Sequence, residues 1–279
     1  MIRGPTRQVG KRAKKAIVVD ENHVNNVYKL AELVKDKEEE YLRAVEKLFY
    51  LLLELYEKNE NPKLNFNPRD LLTQFVEKVN EKGVEAFNKG DLKLSQKELS
   101  RVFELLHQDK IVLAYKDPNA LMEAQVLTYG NLSCVFRKAS DFQKAIKIVD
   151  YTIELEEKLS KVNHGKAGLS IISTYLNKAA MLSEGKKHQE AYQAIQKALE
   201  RIQVAEMGSN IDEGQSSYLK FMRLNSLKNC GKQLLLLKQK EMAIEHYEKA
   251  LEIAKELKRG NLVAKLEEGI QKLRSSSND

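Results

Sequence analysis

From Asp20 to about Asn59 the chain runs without glycine or proline, and apolar residues fall three and four apart: Val24, Val27, Ala31, Val34, then Tyr41, Val45, Leu48, Leu52 and Leu55. Such spacing lines one face of a helix, so the pattern predicts a long helix over residues 20–59. Only Glu38 interrupts the seam. The stripe is narrow enough for a coiled coil until Leu42, Phe49 and Tyr56 add a flanking apolar row. Residues 38–58 are therefore expected to pack on the rest of the chain, and Val24 to Val34 to form an intermolecular coiled-coil stretch. Residues 60–69 read as a linker broken at Asn61-Pro62 and Asn67-Pro68, with Asp70 as the cap of the next helix.

Beyond the linker the pattern repeats. Asn131, Asn177 and Asn229 each stand 14 residues ahead of a small residue, Ala145, Ala191 and Ala243. At 12 before, 9 before, 4 after and 7 after these anchors come Ser133, Phe136, Val149 and Thr152; then Ala179, Leu182, Ile195 and Ala198; then Gly231, Leu234, Tyr247 and Ala250. A weaker first copy has Gly83 and the anchor Ser95, with Ala86 where bulk is usual and Val102 where a small residue is. Small residues opposite bulky ones let two antiparallel helices approach closely. This alternation resembles the tetratricopeptide repeat family over about residues 76 to 257. The resemblance implies an all-α fold: a right-handed superhelical solenoid of antiparallel helix hairpins with an N-terminal long helix and a C-terminal capping helix. Its repeats would cover about 76–109, 126–159, 172–205 and 224–257, within residues 70–257. The anchors are 50, 46 and 52 residues apart, against a family period of about 34, so longer helices and connections are expected.

Boundary signals agree. Asp117 before Pro118 predicts a capped helix start, Gly165 ends a hairpin, and Gly185 and Lys238 to Lys240 mark turns. Gly208 and Gly214 flank the approach to the last long first helix. After residue 258, Leu262, Leu266, Ile270 and Leu273 form a stripe suited to closing the array, before a frayed end at residue 279.

The formal net charge of +7 changes meaning once located. Arg3, Arg7, Lys11, Arg12, Lys14 and Lys15 lie in the first 15 residues with no acid; without those six, 41 basic residues face 40 acidic ones. Residues 1–19 are expected to be a disordered basic tail, merely solvated, bound to an acidic surface such as tubulin or RNA, acting as a nuclear signal through Lys11 to Lys15, or serving as a targeting segment. Cys134 and Cys230 have no second cysteine at ligand or redox-motif spacing and read as free thiols in a reducing compartment. The five histidines are dispersed, and Gly4, Gly10 and Lys11 do not have the spacing of a phosphate loop. No catalytic residue, metal, cofactor, small-molecule substrate or membrane span is inferred.

The asparagines carry the functional reading. Asn131 and Ser133 lie about 200° apart around a helix, so if Ser133 faces the partner helix, Asn131 faces a concave inner surface; Asn177 and Asn229 follow suit. A carboxamide offers a donor and an acceptor to an extended peptide backbone, and the resemblance implies such a ladder. Alternatively each Asn bonds within the array. The family's carboxylate clamp fits poorly: its five places hold Asn80, Val84, Asn131, Ser173 and Asn177 in one register, and Gly130, Cys134, Asn177, Asn225 and Asn229 in the next. Leu127, Gly130 and Leu176 precede Lys228 and Lys232 on this surface, suiting a partner with an apolar stretch followed by acids. The candidate partner-binding residues are Leu127, Asn131, Cys134, Arg137, Ser173, Asn177, Asn225, Lys228, Asn229 and Lys232. The chain reads as a non-enzymatic adaptor or assembly subunit, cytoplasmic or cytoskeletal, with the nucleus an alternative. The competing reading is a cytoskeletal or nucleic-acid-associated protein anchored by its tail.

Overall fold

The computed structural model describes residues 19–59, 61–108, 110–162, 166–207 and 211–275. Residues 1–18 of the expected basic tail, Gly165 and Gly208 lie outside these residues, whereas Val19, the last residue assigned to the tail, is buried. All regular elements among the described residues are α-helices, and the chain forms two compact units, Met1–Phe75 and Val76–Asp279.

In the first unit the single helix expected over 20–59 is instead a hairpin of α1 (Glu21–Leu33) and α2 (Glu38–Lys58). The chain turns where Glu38 breaks the apolar seam. Glu38, Glu39 and Glu40 thereby occupy the first turn of α2, where unsatisfied backbone N–H groups favour carboxylates. Asn59 at the end of α2 donates to the Glu21 carboxylate at 3.1 Å, so the helices are antiparallel. Val24 and Ala31 are fully buried within this chain, which removes them from the intermolecular seam expected of them. The linker is anchored too: the buried Asn25 side chain donates to the Lys63 carbonyl at 3.2 Å and accepts from the Asn65 N–H at 2.8 Å, while the rings of Tyr28 and Phe66 stack at 4.3 Å. The following helix, α3 (Pro68–Asn88), starts before Asp70; Asn67 accepts from the Arg69 N–H and donates to Asp70.

In the second unit helices pack in consecutive pairs. The first helices are the end of α3, then α6 (Pro118–Lys138), α8 (Lys166–Glu184) and α10 (Glu213–Leu236); the second helices are α4 (Leu92–Leu106), α7 (Phe142–Val162), α9 (His188–Glu206) and α11 (Lys240–Glu256). The closing α12 (Gly260–Ser275) buries Leu266 and Ile270. A five-residue helix, α5 (Ile111–Tyr115), buries Ile111, Ala114 and Tyr115 in a connection whose sequence gave no helical pattern.

The four hairpin turns are built alike. Five residues before each anchor stands a left-handed residue, Gly90, Ser140, Lys186 or Lys238. In each turn the next residue's N–H returns to a carbonyl five residues back: Asp91 to Ala86, Asp141 to Phe136, Lys187 to Leu182 and Gln239 to Leu234, at 2.8–2.9 Å. The left-handed residue of the third turn is thus Lys186 and not Gly185.

All four anchors are fully buried. The bulky residue 4 after the anchor lies over the small one 12 before it: a Cβ added to Gly83 would stand 2.7 Å from Leu99, and one added to Gly231 2.7 Å from the Tyr247 ring. The additional residues per repeat lengthen helices, α10 reaching 24 residues, and build a further core layer from Ile172, Ala198, Ile202, Leu219 and Met222. Burial of that layer offsets the ordering entropy of the longer helices.

Candidate functional site

All ten candidate partner-binding residues stand on α6, α8 and α10, but they are not equivalent. Polar side chains tie these first helices together. The Asn131 amide donates to Asn80 Oδ1 at 2.9 Å, and the buried Asn80 amide donates in turn to Thr128 Oγ1 and to the Val76 carbonyl, both at 2.9 Å. Asn131 is thereby half-buried and engaged within the array. The Ser173 hydroxyl meets the Tyr218 hydroxyl at 3.1 Å, and Gln233 donates to Ser183 at 3.0 Å.

Asn177 and Asn229 are exposed and form no side-chain hydrogen bond among the described residues. Lys228 and Lys232 likewise have no ion pair there, whereas Lys178 on the same set of helices is held by Asp150 at 2.6 Å. Leu127 is 46% exposed. Cys134, Asn225 and Lys228 are half-buried.

Arg137, Asn229 and Lys232 come together around a recess of about 160 Å³ between α6, α8 and α10, floored by Ala179 and Ala180. Arg137 clasps Glu184 with two parallel hydrogen bonds, Nε to Oε2 at 3.0 Å and Nη2 to Oε1 at 2.5 Å. Hydrogen bonding to Arg137 holds the Glu184 carboxyl below the usual carboxylate range, and the Lys232 charge adds to this. The recess thus presents one satisfied carboxylate, an unpaired ammonium and a free carboxamide. Such a set can bind a polar segment; no nucleophile paired with a base is part of it.

Cys230 lies fully buried on α10, and burial pushes its thiol up to about 12, so it stays protonated and unreactive. Among the described residues no three histidine, cysteine or acidic side chains gather as a metal site, and no helix is long and apolar enough to cross a membrane.

The role argued for the asparagines is performed elsewhere in this chain. Asn25 grips one C=O and one N–H of the extended linker, the donor–acceptor pairing a carboxamide can offer any backbone. Sequence reasoning missed it because Asn25 has no counterpart in the repeats.

No family model and no curated protein matches the sequence. Solved structures do. A signal transduction ATPase with numerous domains from Pyrococcus horikoshii, carrying a tetratricopeptide repeat sensor, is 15% identical with a TM-score of 0.55, over 88% of this chain and 37% of that one. A putative kinesin light chain with nearly identical TPR-like repeats, from Podosopora anserina, is 15% identical with a TM-score of 0.49, over 86% of this chain and 98% of that one. The chain thus spans little over a third of the archaeal protein. The architecture is that of a tetratricopeptide-type solenoid.

Proposed function

We propose that the chain is a non-enzymatic adaptor or assembly subunit that holds a protein segment along the row formed by α6, α8 and α10. The observation that carries this reading is the polar row itself: Asn177, Asn229, Lys228 and Lys232 make no side-chain hydrogen bond or ion pair among the described residues, on helices otherwise cross-tied by side-chain hydrogen bonds. Polar groups left open on a rigid scaffold are placed to bind at little ordering cost. The segment that suits the row has an apolar stretch near Leu127 and acids near Lys228 and Lys232. Asn131 supports the row from within, since its amide is spent on Asn80. Free Cys134 and Cys230 accord with an intracellular setting.

The test uses a labelled peptide with a leucine-rich half followed by a glutamate-rich half, titrated against the intact chain. Asn177→Ala and Asn229→Ala should each weaken binding by about 0.5–3 kcal/mol with little change in melting temperature. Lys228→Glu with Lys232→Glu should weaken it further. Unchanged affinity in all of these variants would refute the proposal.

A further inference from the structure

On the second helices the repeat register exposes a feature that the row above does not use. Between α7 and α9 a polar tie crosses the array: Arg201 pairs with Glu157 at 2.6 Å, and the Tyr175 hydroxyl donates to the same carboxylate at 3.3 Å. Counted from the anchors, these residues stand 10 after, 12 after and 16 before. At the same places between α9 and α11 stand Ile253, Gln203 and Leu227. All three line an open groove of about 700 Å³ between α9 and α11, with α10 beneath. One junction has an arginine laid across it; the next lacks the arginine, its carboxylate and the tyrosine, and is open.

The groove's chemistry states what fits it. Leu199, Leu227 and Ile253 supply apolar surface, and Glu200 and Glu252 stand on α9 and α11 respectively. The cations in the lining are already paired: Lys220 with Glu256 at 3.2 Å, Arg223 with Glu206, and Lys249 with Glu245 at 2.6 Å. His246 is held through Nδ1 at the Met242 carbonyl, 2.9 Å away. Glu252 has no ion pair among the described residues, and the partner of Glu200 is Lys197, which lies outside the groove.

We propose that this groove docks a partner protein segment that lays an arginine, flanked by apolar side chains, into the place Arg201 fills one junction earlier. The arginine stem covers Leu227 and Ile253, and its guanidinium reaches the carboxylates of Glu200 and Glu252. The surface is separate from the α6, α8 and α10 row, and neither proposal depends on the other.

The probe is a fluorescein-labelled short peptide alternating leucine and arginine, with a leucine and glutamine counterpart, followed by anisotropy on the intact chain. The arginine peptide should bind and the glutamine peptide should not. Glu200→Gln with Glu252→Gln should weaken binding at least fivefold. Gln203→Glu with Ile253→Arg, which installs the tie of the neighbouring junction, should abolish it while the thermal melt stays intact. Asn229→Ala with Lys232→Ala should leave it unchanged. Equal binding of both peptides, binding that survives the installed tie in a folded protein, or loss on the Asn229 and Lys232 substitutions would each overturn the proposal.

Discussion

At the scale of single residues, two glycines of similar helical setting have opposite roles. A methyl group at Gly231 would press on the Tyr247 ring at 2.7 Å, whereas one at Gly130 meets nothing within 4 Å. Gly231→Ala should therefore destabilise by about 1–3 kcal/mol through overpacking. Gly130→Ala should stabilise by roughly 0.5–1 kcal/mol, because alanine loses less backbone entropy in a helix. Thermal melts would show opposite shifts, of roughly 2–4 °C per kcal/mol for a chain of this order of size. Glu156 sets a second test. Its carboxyl is 2% exposed, and burial raises its pKa against the opposing hydrogen bonds of Ser170 and Thr174. A carboxyl whose folded pKa lies above its unfolded value contributes stability below the unfolded pKa and loses it as pH rises through the folded one. Glu156→Gln should accordingly melt above the parent at pH 7, with the difference shrinking towards pH 4; a lower melting temperature at pH 7 would contradict the assignment. The small-to-large alternation was legible in sequence at this scale because it recurs at fixed spacing. Glu156 was not, since a carboxylate on an amphipathic helix ordinarily faces water.

At the scale of elements, the hairpin turns place lysine and serine where glycine is at ease. Lys186 and Lys238 adopt φ of 62° and 60°, and Gly90 does the same work at 84° without a Cβ. Lys186→Gly or Lys238→Gly should stabilise the array by up to about 1 kcal/mol in denaturant titration, because the left-handed penalty of the side chain is removed. The first-helix ties make a further prediction. Asn131→Ala removes the donor to Asn80 Oδ1 on a side chain only 3% exposed, and should destabilise by about 1–3 kcal/mol. Asn229→Ala, with no bond to lose, should leave the melt near the parent value. The three asparagines occupy one register in the sequence but different environments in the fold, since among the described residues only Asn131 of α6 meets a buried asparagine, Asn80, on the first helix of the hairpin before it, α3. The break between α1 and α2 was half legible: Glu38 marked the interruption, yet nothing local distinguished a helix with one polar seam residue from a hairpin. Asn59 on Glu21 and Asn25 on the linker, contacts 38 to 40 residues apart in the chain, belong to the hairpin form alone.

At the scale of the whole molecule, charge is segregated: six of the 47 basic residues crowd the first 15 positions, and removing them brings the net charge from +7 to +1. If the tail is a polyanion contact, deleting residues 1–15 should abolish retention on heparin at low ionic strength, and salt should elute the parent, because exposed charges are screened beyond about 10 Å at 0.1 M. Retention unchanged by the deletion would place the basic surface elsewhere. By itself the sequence determined that the chain is a run of paired helices in repeated register, because close packing requires small residues at fixed distances from bulky ones and so leaves a period. It also determined which faces of α6, α8 and α10 alternate with the packed ones. Tertiary structure alone decided which polar groups on those faces are consumed, as Asn131 is by Asn80, and which stay open, as Asn229 does. It alone closed one junction with Glu157 and Arg201 and opened the next. Whether a side chain is satisfied depends on neighbours some 44 to 51 residues away, and that separation is bridged only when the helices are stacked.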